Sequence, residues 1–171
     1  MDLHEITPAD AARAARVINL AYRGDRPGWT HESALFAGRR TDGPAIETML
    51  AADDTHILAL AADAEDGLAG CVCLQQRDAA SWYLSLLAVH PSYQARGVGK
   101  RLMAGAEDFV RRAGGHRAHI SVVSVRSELI AWYERRGYER TGELEPFPYH
   151  DPSVGKPLRD DLALVRMAKR L

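Results

Sequence analysis

Apolar residues change their spacing several times along this chain, and each change marks a boundary between elements. Residues 1–6 alternate enough to form a short first strand. Thr7-Pro8-Ala9-Asp10 then opens a helix: threonine caps well, proline suits the first helical position, and Asp10 complements the positive helix end. Val17, Ile18, Ala21 and Tyr22 recur at helical spacing and give that helix an apolar face. Gly24 and Pro27-Gly28 end it. A polar loop through Trp29-Thr30-His31-Glu32 follows, then a second short helix from about residue 44 to 52.

From Thr55 the period shortens to that of strands. Residues 55–62 and 68–75, split by Asp63-Ala64-Glu65-Asp66-Gly67, read as an antiparallel hairpin. Residues 81–89 are apolar on both faces, with Trp82, Leu84, Leu86 and Ala88 on one and Tyr83, Ser85, Leu87 and Val89 on the other. That is the mark of a central strand. Val98, Leu102, Ala106, Phe109, Val110 and Ala113 return to helical spacing, and Gly114-Gly115 closes the helix. Residues 118–125 form a further strand, 127–136 a helix stopped by Gly137, and 138–142 and 162–167 the last two strands. A loop holding Pro146, Pro148, Pro152 and Pro157 joins that final pair. The order predicts a mixed α/β domain with one sheet, and 171 residues fit a single domain, 1–171, with a continuous core.

Composition narrows the function classes. With 46% apolar and 26% charged residues and a net charge of −1, the chain has no global field to draw in nucleic acid or an anionic membrane. No apolar run approaches the ~18 residues of a membrane span, and the first residues lack the pattern of a signal peptide. Cys71 and Cys73 sit in an apolar strand, too close to bridge and without the Cys or His partners of a zinc site. His116 and His119, three apart, point to opposite faces of a strand. No metal is expected, and buried free thiols imply the reducing cytoplasm.

Chemistry concentrates between Leu86 and Val110, where an apolar strand, a basic glycine-bearing loop and an amphipathic helix follow one another. That arrangement turns backbone amides, a helix N-terminus and the cations Arg96, Lys100 and Arg101 toward one point, which suits a diphosphate. A P-loop is excluded, because Gly97 and Gly99 are too close and Lys100 is followed by Arg101 rather than a hydroxyl. A dinucleotide fingerprint is excluded by Leu102 at its third glycine. Gln94-Ala95-Arg96-Gly97-Val98-Gly99 instead resembles the acetyl-CoA loop of the Gcn5-related N-acetyltransferases, the GNAT family. Leu87-Ala88-Val89-His90-Pro91 is similar to the end of that family's fourth strand. The segment from Arg126 to Tyr138 resembles its motif Asn-x-x-Ala-x-x-x-Tyr-x-x-x-Gly-Phe/Tyr, with Arg126 in place of asparagine and Leu129 in place of alanine.

The resemblance implies a mostly antiparallel mixed sheet with a splayed central strand pair, about four flanking helices, and acetyl-CoA as co-substrate. It assigns cofactor contacts to Leu87, Ala88, Val89, Gln94, Ala95, Arg96, Gly97, Val98, Gly99, Lys100, Arg126 and Tyr133. It also makes Tyr133 the donor to the CoA sulfur as a neutral amine attacks the thioester; packing in the core is that residue's other use. Where many members carry a carboxylate or histidine base, this chain has Ser85, which needs a water relay through Tyr83. Glu32 is the first alternative, with Trp29 as an apolar wall beside it, and His31, His90 and Glu145 follow. Trp29, Tyr83, Phe147 and Tyr149 are expected at the acceptor, while Phe147-Pro148-Tyr149 has a second use in pairing two subunits as a homodimer. The arginine pairs 111–112 and 135–136 read as solvated helix faces, and Leu129 as packing alone. The partner is an amine of a small molecule or peptide. A non-catalytic acyl-CoA-binding regulatory module is the competing reading, prompted by Ser85.

Overall fold

The computed structural model describes residues 3–25, 31–63, 67–151 and 154–171. Strand β1 (Leu3–Glu5) leads into one 3-10 turn at Pro8–Asp10, where Thr7 and Asp10 form the reciprocal capping box that their spacing favours. Helix α1 (Ala11–Arg23) buries Ala14, Val17, Ile18 and Ala21 on the face that the periodicity marks. Helix α2 (Gly43–Leu50) is capped by Asp42, whose side chain accepts from the Ala45 amide at 2.9 Å. Strands β3 (Thr55–Ala61), β4 (Leu68–Gln76) and β5 (Ser81–Val89) form an antiparallel meander. Helix α3 (Val98–Arg112), strand β6 (Arg117–Val123), helix α4 (Ser127–Glu134), and strands β7 (Glu139–Pro146) and β9 (Ala163–Arg170) complete the main sheet.

The seven strands lie in the order β1-β3-β4-β5-β6-β9-β7, and every neighbouring pair is antiparallel except β5 with β6. With four α-helices among the described residues, this is the mixed, mostly antiparallel architecture expected. A second sheet is an addition to it: β2 (Phe36–Ala37) pairs with β8 (Lys156–Pro157). Two-residue strands carry no readable period, so the sequence shows one sheet where there are two.

One face of the main sheet packs on α1 and α2 through Ile6, Val17, Ile18, Ile46, Ile57, Cys71, Cys73, Leu86 and Ala88. The other packs on α3 and α4 through Val72, Leu74, Trp82, Leu84, Leu87, Leu102, Met103, Val110 and Tyr133. Each fully buried aliphatic side chain there contributes about 1.5–3 kcal/mol. Phe36, Leu35, Phe147 and Leu162 make a third, smaller cluster, with the two Phe rings 5.3 Å apart. Burial drives the thiols of Cys71 up to about 12 and of Cys73 up to about 11, so both stay protonated and unreactive. No helix among the described residues is long and apolar enough to cross a membrane.

Two irregularities shape the functional region. Strands β5 and β6 pair only at Ser81–Arg117, Trp82–Ala118 and Tyr83–His119, so they diverge from Leu84 onward. Within β5, Ser85 pairs with Cys73 and Ala88 with Cys71, and Leu86 lies in the left-handed region at φ 49°. One extra residue is therefore inserted, a β-bulge that reverses the side-chain alternation. Leu86 turns to the α1 side with Ala88, while Leu87 joins Trp82 and Leu84 on the α3 side. Strict alternation, which groups Leu86 with Trp82 and Leu84, fails at that residue.

Candidate active site

The loop from β5 to α3 is built by backbone geometry. After β5, a 3-10 turn at Pro91–Tyr93 is held by His90, whose ring nitrogen accepts from the Ser92 amide at 3.2 Å. Ala95 (φ 60°) and Gly97 (φ 74°) are both left-handed. Gly97 adopts this freely, whereas Ala95 carries strain of about 1 kcal/mol. Gln94 braces the turn by donating from Nε2 to the Val89 carbonyl at 3.3 Å. Helix α3 then starts without a side-chain cap, so the amides of Val98, Gly99 and Lys100 have no helical carbonyl to bond.

Those amides border a cavity of about 200 Å³ lined by Leu87, Val89, Gln94, Ala95, Gly97, Val98, Gly99 and Lys100, and also by Tyr93, Leu129, Trp132 and Arg136. The Arg136 guanidinium lies 3.3 Å from the centre of the Trp132 ring and donates to the Trp132 carbonyl at 2.7 Å. A Cβ at Gly99 would stand 3.5 Å from that same indole, so α4 forms the wall facing the glycine turn. The cavity thus joins a cationic lip, with the helix dipole behind it, to an apolar trough between Leu87 and Val89 of β5 and Leu129 and Trp132 of α4. It can hold a diphosphate and an extended arm together.

A second cavity of about 180 Å³ continues past Leu87 and Leu129, which line both. Tyr22, Glu32, Tyr83, Ser85, Ser121 and Tyr133 supply its hydroxyls and its carboxylate, Arg40 a cation, and Phe36 and Phe147 its aromatic roof. Tyr133 is 8% exposed and packs edge-on against Trp132 at 5.0 Å and Tyr138 at 5.7 Å. Burial, reinforced by Tyr83, pushes its phenol well above the usual tyrosine range, against the opposing pull of Arg136 and Arg126. It therefore stays protonated and can donate a hydrogen bond at any ordinary pH. The Tyr22 hydroxyl donates to the Leu87 carbonyl at 3.2 Å, tying α1 to the bulge.

Glu32 receives Arg23 Nη1 at 3.0 Å on one oxygen and Arg126 Nη1 at 3.5 Å on the other. The cluster is well shielded, and Arg23 also stacks over Phe36 at 5.0 Å and donates to the Val154 carbonyl.

The family model of the Acetyltransferase (GNAT) family matches residues 21–138. The chain belongs to the GNAT family. An uncharacterised protein of Mycobacterium leprae is 31% identical over 145 residues, which is 84% of this chain and 36% of the relative, so the chain spans little more than a third of that protein. The N-alpha-acetyltransferase RimI of Mycobacterium tuberculosis is 28% identical over 145 residues, covering 80% of this chain and 77% of RimI. Among solved structures, yncA of Salmonella typhimurium, determined with its cofactor acetyl-CoA, has a TM-score of 0.71 at 22% identity over 100% of this chain and 94% of that one.

Of the residues that the GNAT motifs single out, the first cavity gathers Leu87, Val89, Gln94, Ala95, Gly97, Val98, Gly99 and Lys100. Four others stand elsewhere. Ala88 is fully buried on the α1 side, Arg96 lies over the Tyr93 ring at 5.6 Å, and Tyr133 faces the second cavity. Arg126 turns to Glu32, because a shielded carboxylate attracts a guanidinium more strongly than open solvent does. The candidate bases Glu32 and Ser85 line the second cavity together with Tyr83 and Phe147. Tyr149 stands behind Phe147, its hydroxyl accepting from the Leu162 amide at 2.7 Å, and Trp29 lies outside the described residues. His31 contacts the Gly24 carbonyl at 2.7 Å and Glu145 pairs with Arg166 at 3.0 Å; neither lines the cavity. Leu129, read as packing alone, borders both cavities, and Arg136, read as a solvated face, lines the first. Tyr22, Phe36 and Arg40 carry no motif and show themselves only in the fold.

Proposed function

We propose that this chain is an enzyme, one that transfers the acetyl group of acetyl-CoA to a primary amine of a small molecule or peptide by direct attack. The supporting observation is the junction at Leu87 and Leu129, where an anion-binding cavity meets a polar cavity that contains a buried, protonated Tyr133. Acetyl-CoA supplies the activated acyl group and an anionic handle. The amides of Val98, Gly99 and Lys100 hold that handle, with Lys100 and Arg136 as flanking charges. The carbonyls of Leu87 and Val89 each accept one side-chain hydrogen bond, from Tyr22 and Gln94, and keep a second lone pair for the pantetheine arm.

In the reaction the amine nitrogen forms a bond to the thioester carbon, and the carbon–sulfur bond then breaks. Tyr133 hydrogen-bonds the departing thiolate and passes it a proton, and the proton lost by the nitrogen restores the balance. That proton returns to the Tyr133 oxygen along the polar wall of the second cavity, where Glu32 is the carboxylate and Tyr83 and Ser85 supply hydroxyls. Buried, free Cys71 and Cys73 fit work in the cytoplasm. The test is thiol release from acetyl-CoA with an amine panel, run on the wild type and on Tyr133→Phe. The expected result is a kcat about 100-fold lower in the variant with CoA affinity unchanged. A fully active Tyr133→Phe would remove the donor role. Thermal shifts with ATP or NAD and none with CoA would remove the whole reading.

A further inference from the structure

We propose that Tyr22 is a positioning residue for the transfer: its hydroxyl holds the bulge in β5 and so fixes where the thioester lies. This rests on the acetyltransferase reading above and deepens it. At the bulge, Leu86 and Leu87 together face the single residue Val72 of β4, between the pairs Ser85–Cys73 and Ala88–Cys71. Leu86 takes up the extra length by adopting a φ of 49°, a left-handed conformation that strains a residue with a Cβ. Such a turn persists only where neighbouring contacts hold it. One such contact is the Tyr22 hydroxyl, which donates to the carbonyl of the next residue, Leu87, at 3.2 Å. Leu87 lines both cavities, so the hydroxyl grips the chain at the point where cofactor and acceptor meet.

Tyr22 is suited to that task by its own placement. It lies at the end of α1, packed against the cluster that contains Leu86 and Ala88. Its carbonyl also accepts from the Glu32 amide at 2.8 Å, so one residue sets the loop of Glu32 and the bulge of β5 against each other. Burial, reinforced by Glu32, holds its phenol well above the usual tyrosine range, so the hydroxyl can donate to Leu87 at any ordinary pH. Without the hydroxyl, Leu86 is free to relax toward extended backbone, and Leu87 moves with it. A CoA arm laid along Leu87 and Val89 then ends at a displaced wall, and the thioester carbon is misaligned with the amine. The loss falls on the rate of transfer more than on cofactor binding, because the amides of Val98, Gly99 and Lys100 lie outside the bulge.

The experiment uses the full chain and follows thiol release from acetyl-CoA with phenethylamine, L-methioninamide, kanamycin and an alanine-initiated peptide, keeping the amine that the wild type uses best. Tyr22→Phe keeps the ring and removes only the hydroxyl. It is expected to lower kcat about tenfold, with the Kd for acetyl-CoA from calorimetry within about twofold. The deciding comparison is a second background. Leu86→Gly lets position 86 take the left-handed conformation freely, so the bulge there needs no clamp, and adding Tyr22→Phe should change kcat by less than about twofold. Leu86→Asn, which also tolerates that region, serves the same purpose should Leu86→Gly fail to fold. An equal fall in kcat in both backgrounds overturns the proposal, since the hydroxyl would then act on the reactants directly. So does a Tyr22→Phe that loses thermal stability while kcat holds, which would make the contact one of packing alone. A Kd for acetyl-CoA about tenfold higher with kcat unchanged would place the hydroxyl in cofactor binding and likewise overturn it. No thiol release by the wild type with any of these amines counts instead against the acetyltransferase reading, and this inference falls with it.

Discussion

At the scale of single residues, Glu32 shows how one largely shielded charge holds separate parts of the chain together. It joins Arg23 at the end of α1 to Arg126 at the start of α4, both through shielded ion pairs. Removing one partner of such a cluster leaves the others buried without compensation, which costs about 3 kcal/mol or more. Glu32→Gln is therefore expected to lower the melting temperature by roughly 6–12 °C in a thermal scan. A drop below about 2 °C would show that the two pairs contribute no more than surface bridges do. Gly97 acts through its backbone alone. Gly97→Ala meets no neighbour, yet must keep φ at 74°, so a loss of about 1 kcal/mol and a higher KM for acetyl-CoA are expected from strain in the turn.

Among elements, the legible ones are those whose apolar period runs long enough to be counted. Helices α1 and α3, the β3–β4 hairpin and the glycine turn before α3 stand close to where the residues place them, because capping, glycine and apolar spacing all agree. The bulge at Leu86 is invisible to an alternation count, since nothing in Ser85-Leu86-Leu87 marks an extra residue; only pairing with Cys71 and Cys73 exposes it. Side chains reaching across the fold were harder to read. Arg136 looks like any helix-end cation until the packing of Trp132 against the glycine turn lays it over the indole. Arg126 is diverted by a carboxylate 94 residues away. The wall that α4 presents to the first cavity should bind the ligand equally in its ground and transition states. Arg136→Ala and Trp132→Ala are each expected to raise KM for acetyl-CoA about tenfold with kcat nearly unchanged, as steady-state kinetics will show; a fall in kcat alone would place these residues at the chemistry.

Taken whole, the molecule buries groups that resist ionisation. Burial raises the phenols of Tyr22, Tyr133 and Tyr138, and the thiols of Cys71 and Cys73 likewise. Above about pH 9 for the thiols and pH 10 for the phenols, the unfolded chain releases protons that the folded one retains, so stability falls as pH rises. Each group contributes about 1.4 kcal/mol per pH unit, and the three phenols together about 4. Denaturant melts should show a steep alkaline loss above pH 10, and a flat profile there would mean that these side chains ionise in place. The divergence of β5 from β6 carries a different consequence. A sheet that opens in its own middle has two internal edges where strand-to-strand pairing stops, and such edges invite pairing with a foreign strand. If CoA lies along Leu87 and Val89 as proposed, it covers the β5 edge, so aggregation on storage is expected to slow when the protein is kept with saturating CoA.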